Sequence, residues 1–315
     1  MTDANTNDGG CMWSLFPLFL ACGDKSHDSA ELNQKNWLAA DLMPLSSGAC
    51  PNMSSSGDLV SFTSSGESRN VTIVFPDQLT EDMRLVFFFH GLMPENSNPT
   101  QQSANALDLQ SFANQYNSVI VLPESPIWEM AGQRFHLWNI EDGTYANDVA
   151  LFDDLRTCIA NEFDVDLDTL VTAAFSGGSL FSTILIKERS DHLAAVVEMS
   201  GGADLTVPTF TNTFAPYGSP SHPLPVLLIS GGAQDVWPDP GFTLVDFQSA
   251  TETLYANLKN DNQFAVRCEH NSGHTITTKS FITAVEWLTQ HRFNETSPFE
   301  TGIDDWSDWC ESSNQ

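Results

Sequence analysis

Apolar runs of strand length alternate with helical periodicities through the middle of this chain. VTIVF (71–75), RLVFFFH (84–90), SVIVLP (118–123), TLVTAAF (169–175), LAAVVEM (193–199), PVLLIS (225–230) and QFAVRC (263–268) read as strands. Between them fall a polar helix near 103–116, a helix with Val149, Phe152, Leu155 and Ile159 at three- and four-residue steps, SLFSTILIKE (179–188), a helix around 244–258, and FITAVEWL (281–288). LVFFF and PVLLI are apolar on both faces, as a strand buried between two helical layers requires. The pattern predicts an α/β fold: one domain over 69–293, a mostly parallel central sheet and helices on both faces. Residues 23–68, rich in Ser, Asn, Asp and Gly, are expected to form a polar linker into an irregular first hairpin, and 294–315 an acidic tail. Two long stretches, 124–147 and 201–223, interrupt the rhythm directly after strands. Loops leaving the carboxyl ends of parallel strands surround the ligand site in such sheets, so both are expected to shape a pocket.

Charge narrows the partners. Twelve basic against 41 acidic residues give a net charge of -29 over 315 residues, which repels phosphate backbones and anionic headgroups and argues against nucleic acid as a partner. Near the N-terminus, MWSLFPLFLACG (12–23) has the length of an export-signal core rather than of a membrane span. Its FLAC segment resembles a bacterial lipobox, with Cys22 as the lipidated residue; against this, the preceding MTDANTNDGGC carries two aspartates and no basic residue. Residues 1–22 are therefore expected to be an export or lipoprotein signal. The protein would be secreted or held at the cell envelope, touching a membrane only through a lipid anchor at Cys22.

Outside that leader stand Cys50, Cys158, Cys268 and Cys310. In an exported protein they suggest two disulfides, and Cys268 with Cys310 is the favoured pair because it would tie down the tail. Four cysteines allow three pairings, and four buried thiols are the alternative. No CxxC pair suggests zinc.

The triplet Ser-Gly-Gly occurs at Ser176, Ser200 and Ser230. A nucleophilic serine in this architecture needs a sharp turn directly between strand and helix, and only Ser176 has a strand ending against it and a helix beginning after it. The elbow signature G-x-S-x-G is present as Ala174-Phe175-Ser176-Gly177-Gly178, with alanine for the first glycine. An acid and a histidine follow in the order such a site requires. Asp235 lies in the loop leaving PVLLIS, with Asp239 as second choice; His274 lies in EHNSGHTI, with His270 as second choice. At the end of another strand, FFFHGLM places Gly91 and Leu92 where their backbone N–H groups can join that of Gly177 in an oxyanion hole. His270 and His274 are an i, i+4 pair, but Asn-Ser-Gly between them opposes a helix and there is no HExxH, so no metal is expected.

These segments resemble the α/β-hydrolase superfamily, and within it the secreted polyhydroxybutyrate depolymerase and feruloyl esterase group. The resemblance rests on LVFFFHG, VIVLPES, DVALFDDLRTCIANEFDVDLDTLVTAAFSGG, LAAVVEMSGG, PVLLISGGAQD and CEHNSGHT, covering most of 70–290. It implies a serine esterase with Ser176 as nucleophile, Asp235 as acid and His274 as base, requiring no cofactor. The implied substrate is a feruloyl, acetyl or hydroxyalkanoate ester, polymeric or derived from plant cell wall. Ala174 departs from the family's elbow. Trp138, Phe135 and Trp237 lie in loops expected to border the site and are candidates to line the substrate. The competing readings are an inactive hydrolase fold used as a surface binding protein, and a serine peptidase.

Overall fold

Leu85, Phe87 and Phe89 join one hydrophobic core while the alternate residues Val86 and Phe88 join another. A strand with two apolar faces is stable only where both are covered, and that condition shapes the whole molecule. The computed structural model describes residues 37–130, 132–207, 212–239 and 241–314. The proposed export signal and Cys22 lie outside these residues.

In chain order the first elements are β1 (Leu59–Ser64), β2 (Glu67–Val74), β3 (Met83–Phe89), β4 (Met93–Pro94), α1 (Pro99–Ala106), α2 (Leu109–Tyr116) and β5 (Ser118–Pro123). There follow β6 (Ile127–Met130), β7 (Gln133–His136), α3 (Ala146–Glu162), β8 (Val165–Phe175), α4 (Gly177–Arg189), β9 (Ala195–Met199) and β10 (Val226–Ser230). The series closes with β11 (Val236–Asp239), β12 (Phe242–Asp246), α5 (Phe247–Asn260), β13 (Ala265–Glu269), α6 (Thr278–Gln290) and β14 (Cys310–Ser312).

Among the described residues nine strands form one sheet in the order β1-β2-β5-β3-β8-β9-β10-β13-β14. The six from β5 to β13 run parallel, and antiparallel strands close both edges. Residues of α3, α4 and α5 share the core of Phe87 and Phe89, whereas α2 and α6 share that of Val86 and Phe88. The mostly parallel sheet with helices on both faces is the expected architecture.

Three local departures have clear physical causes. The helix expected over 103–116 is broken into α1 and α2 at Asp108, which takes a left-handed φ of 48°. The packed unit begins at Trp37, well before Arg69, because polar side chains rather than an apolar stripe fasten the early segment. Leu38 and Ala39 N–H groups donate to Asp168, Ser46 donates to Asp154, and Arg156 donates to the carbonyls of Ala40 and Asp41. Cys50 is bonded to Cys158 on α3. The C-terminal segment is likewise part of the fold rather than a free tail. Ile303 and Trp306 are buried, β14 pairs antiparallel with β13, and Cys268 is bonded to Cys310 across that pair.

Candidate active site

Strand β8 ends at Phe175 and helix α4 starts at Gly177, so Ser176 alone makes the turn. It does so at φ 57° and ψ -123°, a strained conformation for a residue with a side chain. The turn is this tight because α4 lies almost on the end of β3: a Cβ on Gly178 would meet the Phe89 carbonyl oxygen at 2.1 Å. A Cβ on Gly91 would stand 3.0 Å from that of Ser176. Ala174 needs no such clearance; its methyl is fully buried within the core beside α3 and α4. Although Ser176 is the N-cap residue of α4, its hydroxyl makes no capping bond and points instead to an imidazole.

That imidazole belongs to His274. Its Nε2 lies 2.9 Å from Ser176 Oγ and its Nδ1 lies 2.7 Å from Asp235 Oδ1. A carboxylate opposite Nδ1 selects the tautomer with hydrogen there, which leaves Nε2 to accept the serine proton. Asp235 is completely buried, and its other oxygen is fully engaged. Oδ2 accepts from Gly231 N–H at 2.7 Å and from Ser200 Oγ at 2.9 Å, so the carboxylate has no rotational freedom. His274 reaches the site because its loop touches β10: Gly273 N–H donates to the Gly231 carbonyl, and a Cβ on Gly231 would collide with Gly273 O at 2.0 Å. The rings of Phe175 and Phe247 both stack against the imidazole, with centroids 4.9 and 4.5 Å from it. His270 instead turns back to accept from Ser272 N–H.

The three Ser-Gly-Gly triplets prove to be neighbours. Phe175 pairs with Met199, and Met199 with Ile229, so Ser176, Ser200 and Ser230 stand side by side where β8, β9 and β10 end. Ser176 N–H donates to Met199 O and Ser200 N–H to Ile229 O. As ordinary strand-to-loop turns, the second and third triplets gave no sign of contact with Asp235; their repetition at equivalent positions was the available signal.

Opposite this row, Gly177 opens α4 with an N–H that has no intrahelical acceptor, and its Cβ position would be 3.6 Å from Leu92 N. The backbone N of Leu92 thus lies close to the first residue of α4, beside Ser176. The loop carrying Gly91 and Leu92 is held by His90. His90 Nε2 accepts from Ser125 N–H at 3.1 Å, so Nδ1 carries the hydrogen and donates to Gly91 O at 2.6 Å. Burial lowers the His90 pKa to about 4, which keeps the ring neutral and this bonding pattern intact. Trp138 corrects the sequence-based expectation. It is fully buried, its Nε1 donates to His90 O at 2.9 Å, and it supports the loop rather than lining a pocket.

A cavity of about 170 Å³ opens at Ser176 and Gly177. Trp237 lines it, as anticipated, together with Leu92, Trp128, Leu180, Leu205 and Phe214. Phe135 is not among its walls; it sits on β7, paired with Pro94 and Trp128. Trp128, on the neighbouring strand β6, is the aromatic residue of that hairpin that does reach the cavity. Among the described residues no cluster of His, Cys, Asp or Glu could hold a metal ion.

Behind the elbow, Glu198 on β9 is buried opposite Ala174. Burial raises its pKa to about 8. The hydrogen bonds require the same protonation: Thr183 Oγ1 lies 2.9 Å from Glu198 Oε1 and 2.8 Å from Gly202 O, yet has one hydrogen. With the carboxyl protonated, Glu198 donates to Thr183, Thr183 donates to Gly202 O, and Gly202 N–H returns to Glu198 Oε2 at 3.0 Å. A carboxyl whose pKa is higher folded than unfolded stabilises the fold below the unfolded value, near 4.5, and loses that contribution as pH rises through about 8. The melting temperature is therefore expected to fall between pH 6 and 9 in the wild type. In Glu198→Gln, whose amide can donate to Thr183 and accept from Gly202 N–H as the protonated carboxyl does, the fall should be visibly smaller; calorimetry across that range checks it.

No family model matches the sequence, and no curated protein matches it. Solved structures do. The chain superimposes on native sOPH with TM-score 0.65 at 18% identity, covering 84% of this chain and 96% of that one. Native pOPH gives TM-score 0.62 at 16% identity, with 84% and 96% covered. An S-formylglutathione hydrolase from Agrobacterium tumefaciens gives TM-score 0.56 at 13% identity, with 74% and 94% covered. Likeness at such identities is a likeness of fold, and it agrees with the strand order and with the helices on both faces. The chain has the α/β-hydrolase fold.

Proposed function

We propose that this protein is a serine hydrolase of carboxylic esters. The observation that carries the reading is the continuous hydrogen-bonded line from Ser176 Oγ through His274 to buried Asp235, beside the two backbone donors of Gly177 and Leu92. His274 Nε2 takes the serine proton as Oγ attacks the ester carbonyl, and Asp235 stabilises the imidazolium that forms. The oxyanion is held by Gly177 and Leu92 N–H, each such donor contributing on the order of a hundredfold in rate. His274 then protonates the departing alcohol, and water attacks the acyl-enzyme by the same route in reverse. The resemblance of the sequence favours feruloyl, acetyl or hydroxyalkanoate esters, the two disulfides favour export, and the FLAC segment favours Cys22 as a lipid anchor. Hydrolysis of p-nitrophenyl acetate tests the reading: no turnover, or turnover that survives loss of Ser176, would overturn it.

Ser200 is a positioning residue in this reading. It touches neither substrate nor imidazole but fixes Asp235 Oδ2. Ser200→Ala is expected to lower kcat by about tenfold, as loss of one charge-assisted hydrogen bond predicts, with KM unchanged. A merely structural role would lower Tm and leave the kcat of the folded enzyme as it was.

A further inference from the structure

We infer that the cavity is an acyl pocket selective for unsubstituted apolar acyl groups of about six carbons; this rests on the serine-esterase reading. Ser176, Gly177 and Leu92, which would bind the carbonyl carbon and oxygen, all line the cavity, so the acyl chain begins inside it. His274, which must protonate the leaving alcohol, stands on the side of Ser176 toward Asp235, and the alcohol departs on that side. Beyond the carbonyl site the walls are Leu137, Ile140, Leu180, Leu205 and Phe214, closed on the other side by the β11–β12 hairpin through Trp237 and Leu244. Among the described residues, Glu129, exposed at the rim, is the one ionisable group along it.

Size and polarity then select the ligand. A dry apolar cavity of roughly 150 Å³ with Leu, Ile and Phe walls accepts benzene, and this one measures about 170 Å³. An acetyl group leaves most of the apolar wall uncovered. A feruloyl group brings a phenolic hydroxyl and a methoxy oxygen against walls built mostly of Leu, Ile, Val and Phe. Among the described residues the polar side-chain groups there, away from Ser176, are Glu129 at the rim and the indoles of Trp128 and Trp237, the former already donating to Asn139; most of that polar burial is uncompensated and costly. A hexanoyl chain or an unsubstituted phenyl group fills the space and asks for no polar contact.

The test uses the full chain and p-nitrophenyl esters from acetate to dodecanoate, with methyl hexanoate against methyl ferulate as a pair sharing one alcohol. Burial of each methylene is worth about fourfold, so kcat/KM should rise about two-hundredfold from acetate to hexanoate. It should fall again by dodecanoate, and methyl ferulate should trail methyl hexanoate by at least about tenfold. Leu244→Trp, at a half-buried hairpin position that tolerates bulk, should move the optimum to shorter chains. A profile highest at acetate, parity of ferulate with hexanoate, or rates indifferent to acyl length would overturn the assignment while leaving the esterase reading intact. Failure of every ester to be hydrolysed in a Ser176-dependent way would overturn both.

Discussion

Ser176→Ala is expected to lower kcat for an activated ester by about six orders of magnitude, with the fold and Tm preserved. The size of the effect follows from the unity of the line: without Oγ, His274 has no proton to accept and Asp235 no imidazolium to stabilise. Preservation of the fold follows from what the hydroxyl does not do. It caps no helix, and its hydrogen bond is with His274 Nε2, which is partly open to solvent. Alanine occupies φ 57° at about the same cost as serine. Stopped-flow assay with p-nitrophenyl acetate and thermal melts of both proteins check the two halves together. Activity retained at more than about a hundredth of the wild-type level would mean that Ser176 is not the nucleophile.

Gly178→Ala is expected to damage the fold severely for a change of one methyl. The new Cβ would lie 2.1 Å from the Phe89 carbonyl oxygen and 2.7 Å from that of His90. Both are backbone atoms of the central strand and its exit, which cannot rotate away as a side chain would. Helix α4 must lift from β3, at a cost of about 3 kcal/mol, the upper part of the range for overpacked interiors. The lift also separates Gly177 N–H from Leu92 N–H, so kcat should fall along with stability. Ala174→Gly is the control. It removes a buried methyl from the same elbow and should cost only about 1 kcal/mol, mainly through backbone entropy. Urea melts of the three proteins measure the contrast; equal stabilities would show that α4 and β3 are not held at the distance described.

What was legible in the sequence, and what was not, divides along physical lines. Buried parallel strands announce themselves because both faces must be apolar, as LVFFF and PVLLI show. The meeting of Ser176, Asp235 and His274 was visible because each follows a strand of one sheet, and strand ends in such a sheet share an edge. The early segment from Trp37 reads as a linker because its attachment to α3 and its surroundings uses carboxylates, a guanidinium and a disulfide, none of which leaves a periodic trace. The final segment reads as an acidic tail for a similar reason: Ile303 and Trp306 are too few to form a pattern, yet they close the core beside α6. Trp138 and Trp128 are ten residues apart in one loop with nothing local to distinguish them. Which of them was wall and which was support depended on His90, 48 residues before Trp138.

The row of serines along the sheet edge has a geometric meaning. Neighbouring strands repeat at about 4.8 Å, so the end of β10, from which Asp235 is offered, stands roughly 9 to 10 Å from the end of β8. No carboxylate could cross that gap to Ser176 directly. One imidazole with a hydrogen bond at each end, 2.7 Å toward Asp235 and 2.9 Å toward Ser176, bridges it. Ser200, on the intervening strand, braces the far abutment from below. The span of the relay is thus set by the pitch of the sheet, and the two long loops can change length or composition without altering it.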